Sequence, residues 1–232
     1  MSESRLEAVL WDLDGVIADT AEYHYLAWRD VFKERGVEYS MADFMPYFGR
    51  RHDTIIKAVL GEKLTPGEIR EITEKKQKNY RRRVSEDIKA LPGAIDLIKS
   101  LHTHGIKSAI ASSAVPENIK IILRGLGIEY CFQAIAHGTE VEEGKPSPQI
   151  FLLAAKKLKA GPGSCVVIED AIAGVAAAKS AGMKCVAVTN SHPKDKLKDA
   201  DLIVDSLEEV DIAALSGLFR SAKSTHGSTG SP

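Results

Sequence analysis

Short runs of consecutive apolar residues recur along the chain, separated by stretches in which apolar positions return every three or four residues. Ala8-Val9-Leu10-Trp11, Ser108-Ala109-Ile110-Ala111, Cys165-Val166-Val167-Ile168, Cys185-Val186-Ala187-Val188 and Leu202-Ile203-Val204 are the runs. Continuous rather than alternating apolarity predicts strands buried on both faces, as in a parallel sheet. Between the runs, Ala94, Leu97, Ile98 and Leu101 have the i, i+3, i+4, i+7 spacing of one helical face, opened by Pro92-Gly93. Residues 150–158 and 171–181 also read as helices, and Gly182 suits the stop of the second. This alternation predicts an α/β fold with a doubly wound parallel sheet, Rossmann-like in plan.

From about residue 19 to 84 the alternation stops, with no buried-strand pattern and many charged residues. Within it, residues 65–83 predict a long helix, with Thr65 as cap, Pro66 at its first position and Glu68 at its third. The stretch reads as an all-helical insertion after the first strand. The predicted organisation is an α/β core of residues 1–18 and 88–220, a helical cap of 19–87, and a disordered Gly/Ser-rich tail of 221–232.

The 232 residues carry 31 basic and 32 acidic side chains, so no general field draws nucleic acid or an anionic membrane. No apolar run approaches the roughly 20 residues that cross a bilayer, and the opening MSESRLEAVLWDLDG lacks the pattern of a signal peptide. A cytoplasmic protein, monomeric and without nucleic-acid or membrane partners, is expected. The three cysteines, Cys131, Cys165 and Cys185, have no metal or redox spacing and read as small buried hydrophobes.

The candidate chemistry gathers at the ends of the apolar runs. Asp12 and Asp14 end the first, two apart and so on one side of a strand, and Gly15 allows a sharp turn after them. Ser112-Ser113 ends the second; a hydroxyl and backbone N–H groups at a helix start can hold phosphate, or merely cap the helix. Lys145, its backbone restricted by Pro146, lies in a polar loop before the 150–158 helix. Glu169-Asp170 ends the third run. All four features fall at the carboxyl edge of the predicted sheet, where open α/β sheets bind ligands. Together they supply four carboxylates, a hydroxyl and an ammonium. That inventory suits a hard cation such as Mg2+, and phosphoryl transfer, which needs charge neutralisation and alignment.

The ordered motifs DLDGVIADT, ASS, KPSP and IEDAIAG resemble those of the haloacid dehalogenase-like phosphotransferase superfamily, over nearly the whole chain to about Phe219. The insertion after the first motif is similar to the β-phosphoglucomutase-like branch. The resemblance implies that Asp12 is the nucleophile and Asp14 the general acid/base. It implies that Ser112, Ser113 and Lys145 hold phosphoryl oxygens. Asp12, Asp170, the main-chain carbonyl of Asp14 and a joining or supporting Glu169 would bind Mg2+.

In the cap, Thr20 and His24 are four apart and share a helical face. By resemblance His24 either positions Asp14 or packs at the core–cap junction, and Lys76 falls where the branch has a substrate-contacting lysine. Gly49, with Arg50 or Arg51, matches a substrate-reading loop, but Phe48 replaces the lysine that precedes the glycine in the mutase of this branch, and Val115 replaces a polar residue. The resemblance thus implies a hydrolase that removes phosphate from a small phosphorylated metabolite, a sugar phosphate by preference. The alternative is the mutase, an isomerase; a non-catalytic binding protein comes third.

Overall fold

The computed structural model describes residues 5–220; the predicted tail lies outside the described residues. Six parallel strands form one sheet: β1 (Ala8–Trp11), β2 (Lys107–Ser112), β3 (Ala134–His137), β4 (Cys165–Glu169), β5 (Lys184–Val188) and β6 (Leu202–Val204), in the order β3-β2-β1-β4-β5-β6. The helices are α1 (Ala21–Lys33), α2 (Met41–Phe44), α3 (His52–Leu60), α4 (Pro66–Glu86), α5 (Ala94–Thr103), α6 (Pro116–Gly125), α7 (Gln149–Leu158), α8 (Ile172–Ser180) and α9 (Ile212–Gly217). Successive residues of β1 supply opposite faces. Val9 and Trp11 join a cluster with α5, α6 and α9, whereas Ala8 and Leu10 join one with α7 and α8. Burial of both faces is why these strands read as unbroken apolar runs.

The five apolar runs are strands, and three of them extend by a residue or two. A sixth strand, β3, and the helices α6 and α9 have no counterpart in the sequence reading. β3 is an edge strand, AIAH, and is mostly half-buried, so it never needed an unbroken apolar run.

No strand interrupts α1–α4, which enclose a separate apolar cluster around Trp28, Phe32, Phe44, Ile55, Ile56 and Ile72. Thr65 and Glu68 form the expected reciprocal capping box at the start of α4, with Pro66 at its first position. The chain crosses between the helical unit and the sheet twice, side by side: Leu91 N donates to Ile17 O at 2.9 Å and Asp19 N to Lys89 O at 3.1 Å. The three cysteines are buried and free. Among the described residues no helix is long and apolar enough to cross a membrane.

Candidate active site

β1 and β4 are paired in register, Trp11 beside Ile168, and so deliver Asp12 and Glu169-Asp170 to one sheet edge. Lys145 Nζ donates to Asp12 Oδ1 at 2.6 Å and to Glu169 Oε1 at 2.5 Å. Glu169 Oε2 accepts from the backbone N–H of Asp170 and of Ala171, both at 2.9 Å, so both of its oxygens are engaged. The Ser191 hydroxyl donates to Asp170 Oδ2. Backbone must come close to fit this cluster: at Gly174 a Cβ would lie 1.8 Å from Glu169 Oε1, and at Gly15, with φ +83°, 2.0 Å from Asp170 Oδ2.

Oxygens of Asp12, Glu169 and Asp170 gather within 4.8 Å, and all three residues are buried. Burial, with Glu169 and Asp14 nearby, pushes the Asp12 carboxyl up to about 7 against the opposing pull of Lys145. Burial, with Glu169 and Asp12, likewise raises Asp170 well above the carboxylate range. Burial would lower Lys145, but Asp12 and Glu169 outweigh it and hold the ammonium charged. Three buried carboxylates thus share one lysine. The excess negative charge and an all-oxygen donor set fit Mg2+, which would reverse the upward push on Asp12 and Asp170.

A second chain of contacts leads to Asp14. Thr20, at the N-cap position of α1, gives its hydroxyl to Asp14 Oδ1 at 2.6 Å instead of capping the helix. His24 Nε2 faces the same oxygen at 3.5 Å. On the other side of the ring, Lys76 Nζ lies 2.7 Å from Nδ1. An ionised Asp14 only accepts, so in the neutral ring the N–H sits on Nε2, toward Asp14, and Nδ1 accepts from Lys76. Burial and then Lys76 push His24 down to about 4, so it is neutral. Asp14 ends below the usual carboxylate range: burial opposes this, but His24 and Thr20 outweigh it. Lys76 is fully buried, lies over the faces of Trp28 (5.4 Å) and Tyr80 (4.9 Å), and is pushed by burial down to about 7.

Ser112 ends β2, one residue beyond the level of Asp12, and its Oγ accepts from Ala114 N at 3.1 Å. Ser113 is exposed in the turn that follows. Gly49 takes φ +77°. Arg50 is exposed, and Arg51, 83% exposed, pairs with Asp53 at 3.2 Å. The structure therefore gathers Asp12, Asp14, Thr20, His24, Lys76, Lys145, Glu169 and Asp170, and leaves the two arginines in solvent. A cavity of about 160 Å³ opens beside Thr20 and Gly15, with Phe48, Met45, Asp19 and Ser191 in its wall.

Two further participants, Tyr80 and Ser191, have no place in the sequence reading, and Phe48 enters there only as a replacement in the loop. Tyr80 stacks on His24 (4.1 Å, 27°); standing four residues after Lys76, it was findable as its neighbour on the same face. Phe48 meets His24 edge-on at 6.0 Å. Ser191 has no local signal, since 21 residues separate it from Asp170.

The family model described as haloacid dehalogenase-like hydrolase matches residues 9–188. The chain belongs to that family. A β-phosphoglucomutase of Bacillus subtilis is 37% identical over 90% of this chain and 94% of that protein. A fructose-1-phosphate phosphatase of Escherichia coli is 30% identical over 79% and 97%. A crystal structure of β-phosphoglucomutase from Clostridium difficile superposes with TM-score 0.81 at 32% identity, covering 92% of this chain and 97% of that one. The protein is thus an enzyme of the haloacid dehalogenase-like family, in its β-phosphoglucomutase-like branch, related to sugar phosphatases and to the mutase.

Proposed function

We propose that the protein is a Mg2+-dependent phosphatase that removes phosphate from a small phosphorylated metabolite, a sugar phosphate in class, through an aspartyl-phosphate on Asp12. The observation that carries this reading is the Asp12 carboxylate itself. One oxygen is held by Lys145 at 2.6 Å, and Oδ2 has no hydrogen-bond partner among the described residues. Mg2+, held by Asp12, Asp170 and the Asp14 carbonyl with Glu169 in support, supplies charge neutralisation for the phosphoryl group.

Asp12 forms a bond to phosphorus as the ester P–O bond breaks, and the electron pair leaves with the ester oxygen. Lys145 and the Ser112-Ser113 turn hold the phosphoryl oxygens. The leaving oxygen takes a proton from Asp14, which the arriving phosphate dianion makes more basic. Asp14 then takes a proton from water as that water attacks phosphorus, releasing phosphate and restoring Asp12. Thr20 and the His24 N–H fix the Asp14 carboxylate through both steps. Residues 19–87 act as a cap that closes over the reacting group, and the enzyme acts as a cytoplasmic monomer.

The mutase reading is favoured by the 37% identity to the Bacillus enzyme. In it a sugar hydroxyl replaces water. Two observations favour the hydrolase: Lys76 is spent on His24, and the apolar Phe48 lies beside the site. The test is a panel of phosphomonoesters with Mg2+, repeated on β-glucose 1-phosphate with a bisphosphate primer. Phosphate release without isomerised product is expected. Conversion to glucose 6-phosphate faster than phosphate release would replace the hydrolase with the mutase.

A further inference from the structure

Helix α4 is shared between two apolar clusters. Its Ile72 belongs to the cluster of the helical unit, and its Tyr80 and Val84 to a cluster on the sheet. Between these anchors stand Lys76 and Gln77, about 100° apart around the helix. Lys76 turns to His24. Gln77 turns instead to the first turn of α6, where its Oε1 accepts from Asn118 Nδ2 at 2.9 Å. Gln77 is 9% exposed and Asn118 2%. α6 begins at Pro116, just after the Ser112-Ser113 turn. One buried hydrogen bond therefore ties the helix bearing the cap's lysine to the helix that follows the phosphate-holding turn.

The tie is half satisfied. Two facing amides can exchange two hydrogen bonds, yet Asn118 Oδ1 is buried with no donor. A buried acceptor without a donor forfeits its hydration and gains nothing in return. Tyr80 and Val84 of α4 share an apolar cluster with Ile119, Ile122 and Leu123 of α6, and apolar packing is non-directional. The amide pair adds direction without a lock.

We propose that Gln77 and Asn118 are positioning residues. Their hydrogen bond is a reversible latch that sets the closed register of the cap, and with it the placement of Lys76 and His24 against Asp14. The bond parts when the cap opens. The latch rests on the proposed closing of residues 19–87 as a cap, and the kinetic consequence on the phosphatase reading.

The test uses Gln77→Asn, Asn118→Gln and the reciprocal double variant, which keeps the combined side-chain reach. Amide hydrogen exchange is followed over α4 and α6 in the full-length protein. Steady-state kinetics use β-glucose 1-phosphate and p-nitrophenyl phosphate as probes. In each single variant, exchange at the α4–α6 contact should speed up. KM for β-glucose 1-phosphate should rise about fivefold relative to that for the aryl ester, the factor one net hydrogen bond supplies. The double variant should restore both. A structural role alone would lower thermal stability and leave the KM ratio fixed, which overturns the proposal. So would single variants with wild-type exchange, or a double variant no better than the singles. If neither probe is turned over by any variant, the exchange result decides the latch, and the phosphatase reading fails separately.

Discussion

Asp12 is asked to be both buried and charged. Its carboxyl is raised to about 7 by burial and neighbouring acids, above its unfolded value. A raised pKa contributes stability that is complete below the unfolded pKa and lost as pH climbs toward 7. Asp12→Asn is nearly isosteric and behaves as a permanently neutral Asp12. Under chelation, its melting temperature should therefore gain on the wild type from pH 4 to pH 7 and level off above. Thermal melts in a chelating buffer read this, and a constant gap would contradict it. The same variant should lose turnover, because an amide does not displace the ester oxygen. Tyr80 stacks its ring on His24 beneath Lys76, and its hydroxyl faces Asp14 and Thr20, so ring and hydroxyl are separable contributions to the second chain of contacts. Tyr80→Phe keeps the ring and should hold kcat within about threefold. Tyr80→Leu loses an aromatic contact and should cost up to about tenfold in kcat on esters with poor leaving groups. Equal effects of the two changes would place the role in the hydroxyl.

Helix α4 links the cap to its chemistry, so its ends matter. The Thr65 side chain accepts from Glu68 N, and Thr65→Ala should destabilise the protein by about 1 kcal/mol, measured by denaturant melts. That box was legible because its signals are local and fixed in spacing. The acids of the core site are legible for a related reason, since they follow strongly apolar strands, where a charge stands out; Lys145, in a polar loop before α7, is marked only by Pro146 and by its company with the other motifs. β3 was not legible, since an edge strand needs no continuous apolar run. α6 was passed over although Pro116 opens it and Ile119, Ile122 and Leu123 are buried along it. Ser191 and the Gln77–Asn118 bond depend on segments far apart in sequence coming together, which no local pattern carries. Lys76 sits in a charged run that read mainly as a solvated face, yet the structure buries it completely among Trp28, Tyr80 and His24. Its resemblance to a known cap lysine, not its periodicity, singled it out.

At the scale of the molecule, the site is where three strands and the loops after them are forced together with too much negative charge. Asp12 follows β1, Asp170 follows β4, and the Ser191 loop follows β5. A divalent cation bound there would relieve the carboxylate repulsion and cross-link these segments in the folded state alone. Binding to the folded state stabilises by RT ln(1 + [L]/Kd), about 2.7 kcal/mol at one hundred times Kd. Mg2+ should therefore raise the melting temperature of the wild type, and more at pH 8 than at pH 5, because protons compete for Asp12 and Asp170, both raised in pKa. Asp170→Asn should abolish most of the shift. Chelation should silence turnover, and Mg2+ should restore it. Calcium should bind and stabilise yet support turnover poorly, since its larger and looser shell misplaces the phosphoryl group against Asp12. Melts and phosphate release measured on the same metal titration separate binding from chemistry. Full activity after exhaustive chelation, or a melting temperature indifferent to Mg2+, would remove the metal from the mechanism and leave the acidic cluster without its compensating charge.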